Sequence, residues 1–149
     1  MQQILIATDG SPSAREAVDV GLELAQEQGA DVTFVHVTPA DEVRGGRGGA
    51  HALTHREGID ESETALKDAA GTADVAGVSY ELERFSGETV ETIIALADSK
   101  SADLIVLGSR GRNPVASALL GSVSHGVLRQ ASRPVLVVKG AKAPTEAAT

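Results

Sequence analysis

Apolar residues along this chain follow two alternating rhythms. Short unbroken runs at Gln3-Ile4-Leu5-Ile6-Ala7-Thr8, Asp31 to Val37, Asp103-Leu104-Ile105-Val106-Leu107 and Pro134-Val135-Leu136-Val137-Val138 have the length and β-branched content of strands buried on both faces. Val78 to Phe85 instead alternates polar and apolar residues, as an edge strand with one exposed face does. Between these runs the spacing changes to that of helices. Ala14, Ala17, Val18, Gly21, Leu22 and Ala25 form one stripe, with Ser11 as cap, Pro12 at the first position and Gly29 as the stop. Ser13 with Glu16 offers a rival capping box. A polar, Ala-rich helix is expected from about Glu57 to Ala76, on Leu66, Ala69, Ala70 and Ala73, and Gly71 weakens it by about 1 kcal/mol. Ser86 and Glu88 open a third helix with the stripe Val90, Ile93, Ile94 and Ala97. Ser122 to Ala131 forms a fourth, with Val123, Val127, Leu128 and Ala131 facing in and Gly126 weakening its middle.

Two segments fit neither rhythm. Residues 38–54 carry Thr38-Pro39 and Gly45-Gly46-Arg47-Gly48-Gly49, which predict a long mobile loop. Residues 140–149 are a small-residue tail, expected to be disordered. Strand and helix therefore alternate from β to β, which calls for right-handed crossovers onto one parallel sheet. Ligands on such sheets bind beyond the carboxyl ends of the strands, where strand order reverses. Three connections follow strands there: residues 8–12, 37–54 and 108–122.

Composition narrows the picture. At 149 residues the chain fits one domain, and with three aromatic residues its core must come from Val, Leu, Ile and Ala. The absence of cysteine excludes disulfides and thiolate metal sites. No stretch reaches the ~20 apolar residues of a membrane helix, so a soluble cytoplasmic protein is expected. A formal charge of -8 repels nucleic acid and anionic lipid, and suits either an ordinary acidic protein or one kept soluble in high salt.

Candidate chemistry concentrates behind the fourth strand, at Gly108-Ser109-Arg110-Gly111 and, after nine residues, Gly121-Ser122-Val123-Ser124. Glycines leaving a strand and opening a helix expose backbone amides that suit phosphate oxygens. The Walker A pattern is missing, since no Gly-Lys-Ser/Thr occurs, and Gly108-x-x-Gly111 is not the dinucleotide fingerprint. By pattern alone the segment is balanced between a phosphate cradle and glycines that serve a tight turn and a close helix approach.

The spacing Gly108-x2-Gly111-x9-Gly121-Ser122, the Asp9-Gly10-Ser11 turn and the closing Arg133-Pro134-Val135-Leu136-Val137-Val138 together resemble the universal stress protein family, through residues 1–139. The resemblance implies a single-domain α/β fold of the adenine nucleotide alpha-hydrolase-like kind. Its five parallel strands would run in the order 3-2-1-4-5, with helices on both faces. It also implies the ATP-binding branch, which carries this glycine pattern. By position, Gly108, Ser109, Arg110 and Gly111 would pass close to ribose and phosphates, and Gly121, Ser122, Val123 and Ser124 would cradle the phosphates. Asp9, with Ala7 and Thr8, would line the adenine and ribose side, and Val37 would meet adenine through its backbone. ATP, ADP or AMP with Mg2+ is the implied cofactor, Asp9 being the nearest carboxylate. The alternative for Asp9 is a turn carboxylate bonding nearby amides.

His36, His51, His55 and His125 lack the grouping of a metal centre. No lysine lies near the glycine motif to stabilise a transferring phosphoryl group, which points to holding nucleotide rather than consuming it. In the implied order the apolar strand Val135–Val138 lies at a sheet edge, where a second copy of the chain could cover it and form a homodimer. The leading expectation is thus an ATP-binding regulatory dimer acting on a downstream protein partner. Its rivals are a slow ATPase or phosphotransferase on the same scaffold, and a dimeric interaction protein with no ligand.

Overall fold

The computed structural model describes residues 1–40, 48–110 and 120–140. Along them run β1 (Gln3–Ala7), α1 (Pro12–Gln28), β2 (Asp31–Pro39), α2 (Gly48–Ala76), β3 (Tyr80–Gly87), α3 (Thr89–Ser99), β4 (Leu104–Gly108), α4 (Ser122–Gln130) and β5 (Val135–Val138). The strands pair in parallel in the order β3-β2-β1-β4-β5, as the family resemblance implies.

Each strand interior divides its side chains between two cores. On one face Ile4, Ile6, Val32, Phe34 and Val106 pack against Ala17, Val18 and Leu22 of α1 and Leu66, Ala69 and Ala73 of α2. On the other, Leu5, Val35, Ile105 and Leu107 meet Val90, Ile93 and Leu96 of α3 and Val127 of α4. Phe34 is fully buried, and its ring centroid lies 6.0 Å from that of Tyr80. Helix starts follow the sequence signals: the Ser11 side chain accepts from the Ala14 amide at α1, and Glu88 accepts from the Glu91 amide at α3. Gly29 closes α1 in the left-handed conformation at φ 66°.

Four local expectations are corrected. Residues 38–54 are not a single loop: β2 continues to Pro39, because β3 pairs with it as far as Gly87, and α2 already begins at Gly48. Helix extension adds one bond per residue once a nucleus exists, so the glycines at its start are carried along. Residues 41–47 of that segment, and 141–149 of the tail, lie outside the described residues. Ser13 forms no capping box, since Ser11 takes that place and the Ser13 hydroxyl is turned elsewhere. Leu128 does not face in; it is 44% exposed on α4. Finally β3 exposes residues of both faces, Leu82 at 43% and Phe85 at 40%, because the helices pack mainly over β1, β2 and β4.

Gly126 has a packing reason that sequence spacing hides. A Cβ there would stand 2.8 Å from a methyl of Val90, so α3 and α4 approach closely only because it is glycine.

The amino end of the sheet is tied down by side chains. One Asp103 carboxylate oxygen accepts the amides of Gln2 (2.7 Å) and Gln3 (3.0 Å). Arg133 bonds the Asp98 carboxylate (2.9 Å) and the Ala102 carbonyl (2.7 Å). The amides of Gln2 and then Gln3 hold the Asp103 carboxyl below its usual pKa. A depressed folded pKa gives stability that is present above the unfolded value, about 3.9, and lost as pH falls through the folded value. Asp103→Asn is therefore expected to melt below the parent at pH 7, with the gap closing on acidification below about pH 4. Thermal melts from neutral to acid pH check this; a gap independent of pH contradicts it.

Candidate functional site

Strand order reverses beside β1, which is flanked by β2 on one side and β4 on the other. A crevice at the carboxyl ends of β1 and β4 is the place such a sheet offers a ligand. Past β1, the Thr8 amide donates to the Val35 carbonyl (2.9 Å) and keeps the chain in the sheet. The Thr8 carbonyl lies 3.0 Å from Nδ1 of buried His36. A carbonyl only accepts, so that ring nitrogen carries a proton and serves the fold. Gly10, at φ 79°, then turns the chain, and Asp9 Oδ1 accepts the Ser11 amide at 2.9 Å. The turn role is what the structure gives for this carboxylate oxygen.

Past β4 the chain is gripped from two helices. The Ser109 carbonyl receives the Gly121 amide (2.6 Å) and the Ser124 hydroxyl (2.9 Å), both from the start of α4. The Arg110 carbonyl receives the Ser13 hydroxyl at 2.6 Å and, more distantly, that of Ser11 at 3.4 Å, both from the start of α1. The Arg110 amide in turn donates to Ser13 Oγ at 3.2 Å. Both helix N-termini, with their partial positive charge, therefore meet the same dipeptide.

The two termini differ in one respect. Among the described residues no side chain caps α4, whose N-cap is Gly121, whereas Ser11 caps α1. The first amides of a helix have no partner within it. Those of α4 therefore meet no side-chain acceptor among the described residues. Ser122 is exposed there, Val123 is half-buried and Ser124 is buried.

Folding thus collects Asp9, Ser109, Arg110, Gly121, Ser122, Val123 and Ser124 at one end of the sheet. Ala7 and Val37 end or approach the ends of the neighbouring strands β1 and β2. Gly111 lies outside the described residues. The expected roles shift for three positions. The Ser124 hydroxyl is engaged by the Ser109 and Gly121 carbonyls. The Arg110 backbone is engaged by the Ser13 hydroxyl. Gly108 is held against α1: a Cβ there would lie 2.5 Å from Ser13 Oγ and 2.7 Å from the Ala14 nitrogen.

Sequence reading missed two neighbours. Ser13 was weighed only as a cap, and nothing local reveals a contact 97 residues away. Lys139 corrects the expectation that no lysine is near: the Ser109 amide donates to the Val138 carbonyl (2.8 Å), so Lys139 leaves β5 at this same end. A groove of about 360 Å³ between α1 and α2 is lined by Thr8 and Gly10 of the turn after β1, together with Arg15, Asp19 and Asp68 among others. Among the described residues no group of three or more His, Asp or Glu could hold a metal ion, and no helix is long and apolar enough to cross a membrane.

A family model described as the universal stress protein family matches residues 1–139. A universal stress protein of Methanocaldococcus jannaschii is 34% identical over 142 residues, covering 95% of this chain and 84% of its own. Among solved structures, a universal stress protein in complex with cAMP is similar at 29% identity and a TM-score of 0.67, covering 93% of this chain and 96% of that one. The universal stress protein from Archaeoglobus fulgidus in complex with dAMP aligns at 25% identity and a TM-score of 0.70, covering 93% of this chain and 98% of that one.

Proposed function

This chain belongs to the universal stress protein family, and from that premise we propose that it holds an adenine nucleotide in the crevice between β1 and β4. The ligand is ATP, or its ADP or AMP relative, with Mg2+ accompanying the phosphates. The observation that carries this reading is the bare start of α4: amides without a side-chain cap, at the point where strand order reverses. Relatives solved with cAMP and dAMP support the ligand class. The glycine spacing of the ATP-binding branch supports the triphosphate.

In this reading the phosphates meet the amides of Ser122, Val123 and Ser124 beside Gly121, with Arg110 close by, while Asp9 and the Ala7 and Val37 backbones face ribose and adenine. The residues fit the group, since backbone donors and one cation suit phosphate and apolar strand ends suit a base. Hydrated magnesium needs few protein ligands, and the second Asp9 oxygen supplies one candidate. The protein acts as a nucleotide-dependent regulatory homodimer. Val135–Val138, half-buried on an edge strand, supply the surface for a second copy.

The test is chemical. Protein purified without added nucleotide and then heat-denatured is expected to release an adenine nucleotide identifiable by mass spectrometry. Added ATP should also raise the melting temperature of the stripped protein. Absence of both results removes the nucleotide from the proposal.

A further inference from the structure

We infer that Ser13 is a positioning residue that fixes the Arg110 peptide and so holds the end of β4 in its binding geometry beside the start of α4. This rests on the proposed nucleotide site and adds to it a residue outside the glycine motif. Ser13 is buried, at 6% exposure, and its hydroxyl bonds both backbone groups of one residue. It donates to the Arg110 carbonyl (2.6 Å) and accepts from the Arg110 amide (3.2 Å). Fixing both ends of that residue's backbone sets its φ and ψ, and with them the direction in which its side chain leaves. On the other side the Ser109 carbonyl is fixed by Gly121 and Ser124.

Two helices thus fix two successive carbonyls, one each. If Ser13 loses its hydroxyl, the α4 side of this strand end remains pinned while the α1 side becomes free to turn. The consequence differs from loss of a helix cap. Ser11 caps α1 through the Ala14 amide and touches the Arg110 carbonyl only at 3.4 Å. Removing Ser11 weakens the helix; removing Ser13 loosens the end of β4.

The experiment compares Ser13→Ala with Ser11→Ala by melting temperature, by hydrogen exchange at the Arg110 amide, and by ATP and ADP titration. Ser13→Ala is expected to speed Arg110 amide exchange at least 10-fold and to weaken nucleotide binding about 5- to 10-fold, with a small change in melting temperature. Ser11→Ala is expected to lower the melting temperature more and to leave Arg110 exchange near the parent rate. Unchanged Arg110 exchange in Ser13→Ala overturns the inference. So does faster exchange with undiminished affinity, which would make Ser13 a structural contact alone. If the parent binds no nucleotide, the functional proposal fails, whereas the exchange arm still decides whether Ser13 holds the end of β4.

Discussion

Gly108→Ala is expected to cost roughly 3 kcal/mol, a fall in melting temperature on the order of 10 °C for a domain of this size. One added methyl group is enough because of what it meets. The new carbon would sit 2.5 Å from Ser13 Oγ and 2.7 Å from both the Ser13 carbonyl carbon and the Ala14 nitrogen. Two of these three atoms are backbone at the first turn of α1, so no rotamer change relieves the contact. Either the start of α1 or the end of β4 must move. Each is bound to the other through Ser13 and Arg110, so the ligand site should suffer along with stability. Gly71→Ala is the matching control. Its Cβ meets nothing within 4 Å on an exposed part of α2, and alanine there should stabilise by about 1 kcal/mol. Thermal or urea denaturation of the pair checks both signs. A Gly108→Ala protein as stable as the parent would mean that α1 and β4 are not packed this closely.

Gly121→Val should do the reverse, keeping the fold while weakening adenine nucleotide binding at least ~100-fold, or about 2.7 kcal/mol. Gly121 sits at φ -74°, ψ 167°, an extended conformation that valine adopts without strain. As an N-cap, valine is poorer than glycine by only about 1 kcal/mol. Its two methyl groups, however, would stand beside the uncapped amides of α4, where phosphate oxygens would otherwise approach. Calorimetric titration with ATP, alongside a thermal melt, reads both effects. Undiminished affinity in a folded Gly121→Val protein would show that phosphate is not held at α4.

The contrast between these glycines marks how far sequence reading reaches. Several local signals were sufficient, although Gly48 and Gly49 start α2 rather than a loop and Ser13 with Glu16 forms no capping box. Ser11, Pro12 and Gly29 bound α1 through capping and backbone preference, and the Val- and Ile-rich runs became the strand interiors. The resemblance supplied the strand order, which periodicity alone could not. Other features depend on distant neighbours. The space at Gly108 is bounded by α1, which its place in the motif does not reveal, and Gly126, read as a weakness, admits Val90. Leu128 matched the apolar spacing of a helix that α3 and β5 cover only in part. Of the site, Asp9, Ser109, Arg110 and Gly121 to Ser124 were legible as a group because motif and strand end coincide. Ser13 and Lys139 were not, since each joins the group through a contact visible only after folding.

The stitching of the sheet's amino end by Asp103 and Arg133 has a practical consequence for reporter placement. That end is held by side-chain bonds to Gln2, Gln3, Asp98 and Ala102, far from the serines and glycines at the opposite end. The chain has no cysteine, so a single introduced thiol would be chemically unique. Val75, 92% exposed near the end of α2 that leads into β3, offers such a position. A dye there would share no contact with the crevice, and a change in its signal on adding nucleotide would measure transmission through the sheet rather than touch.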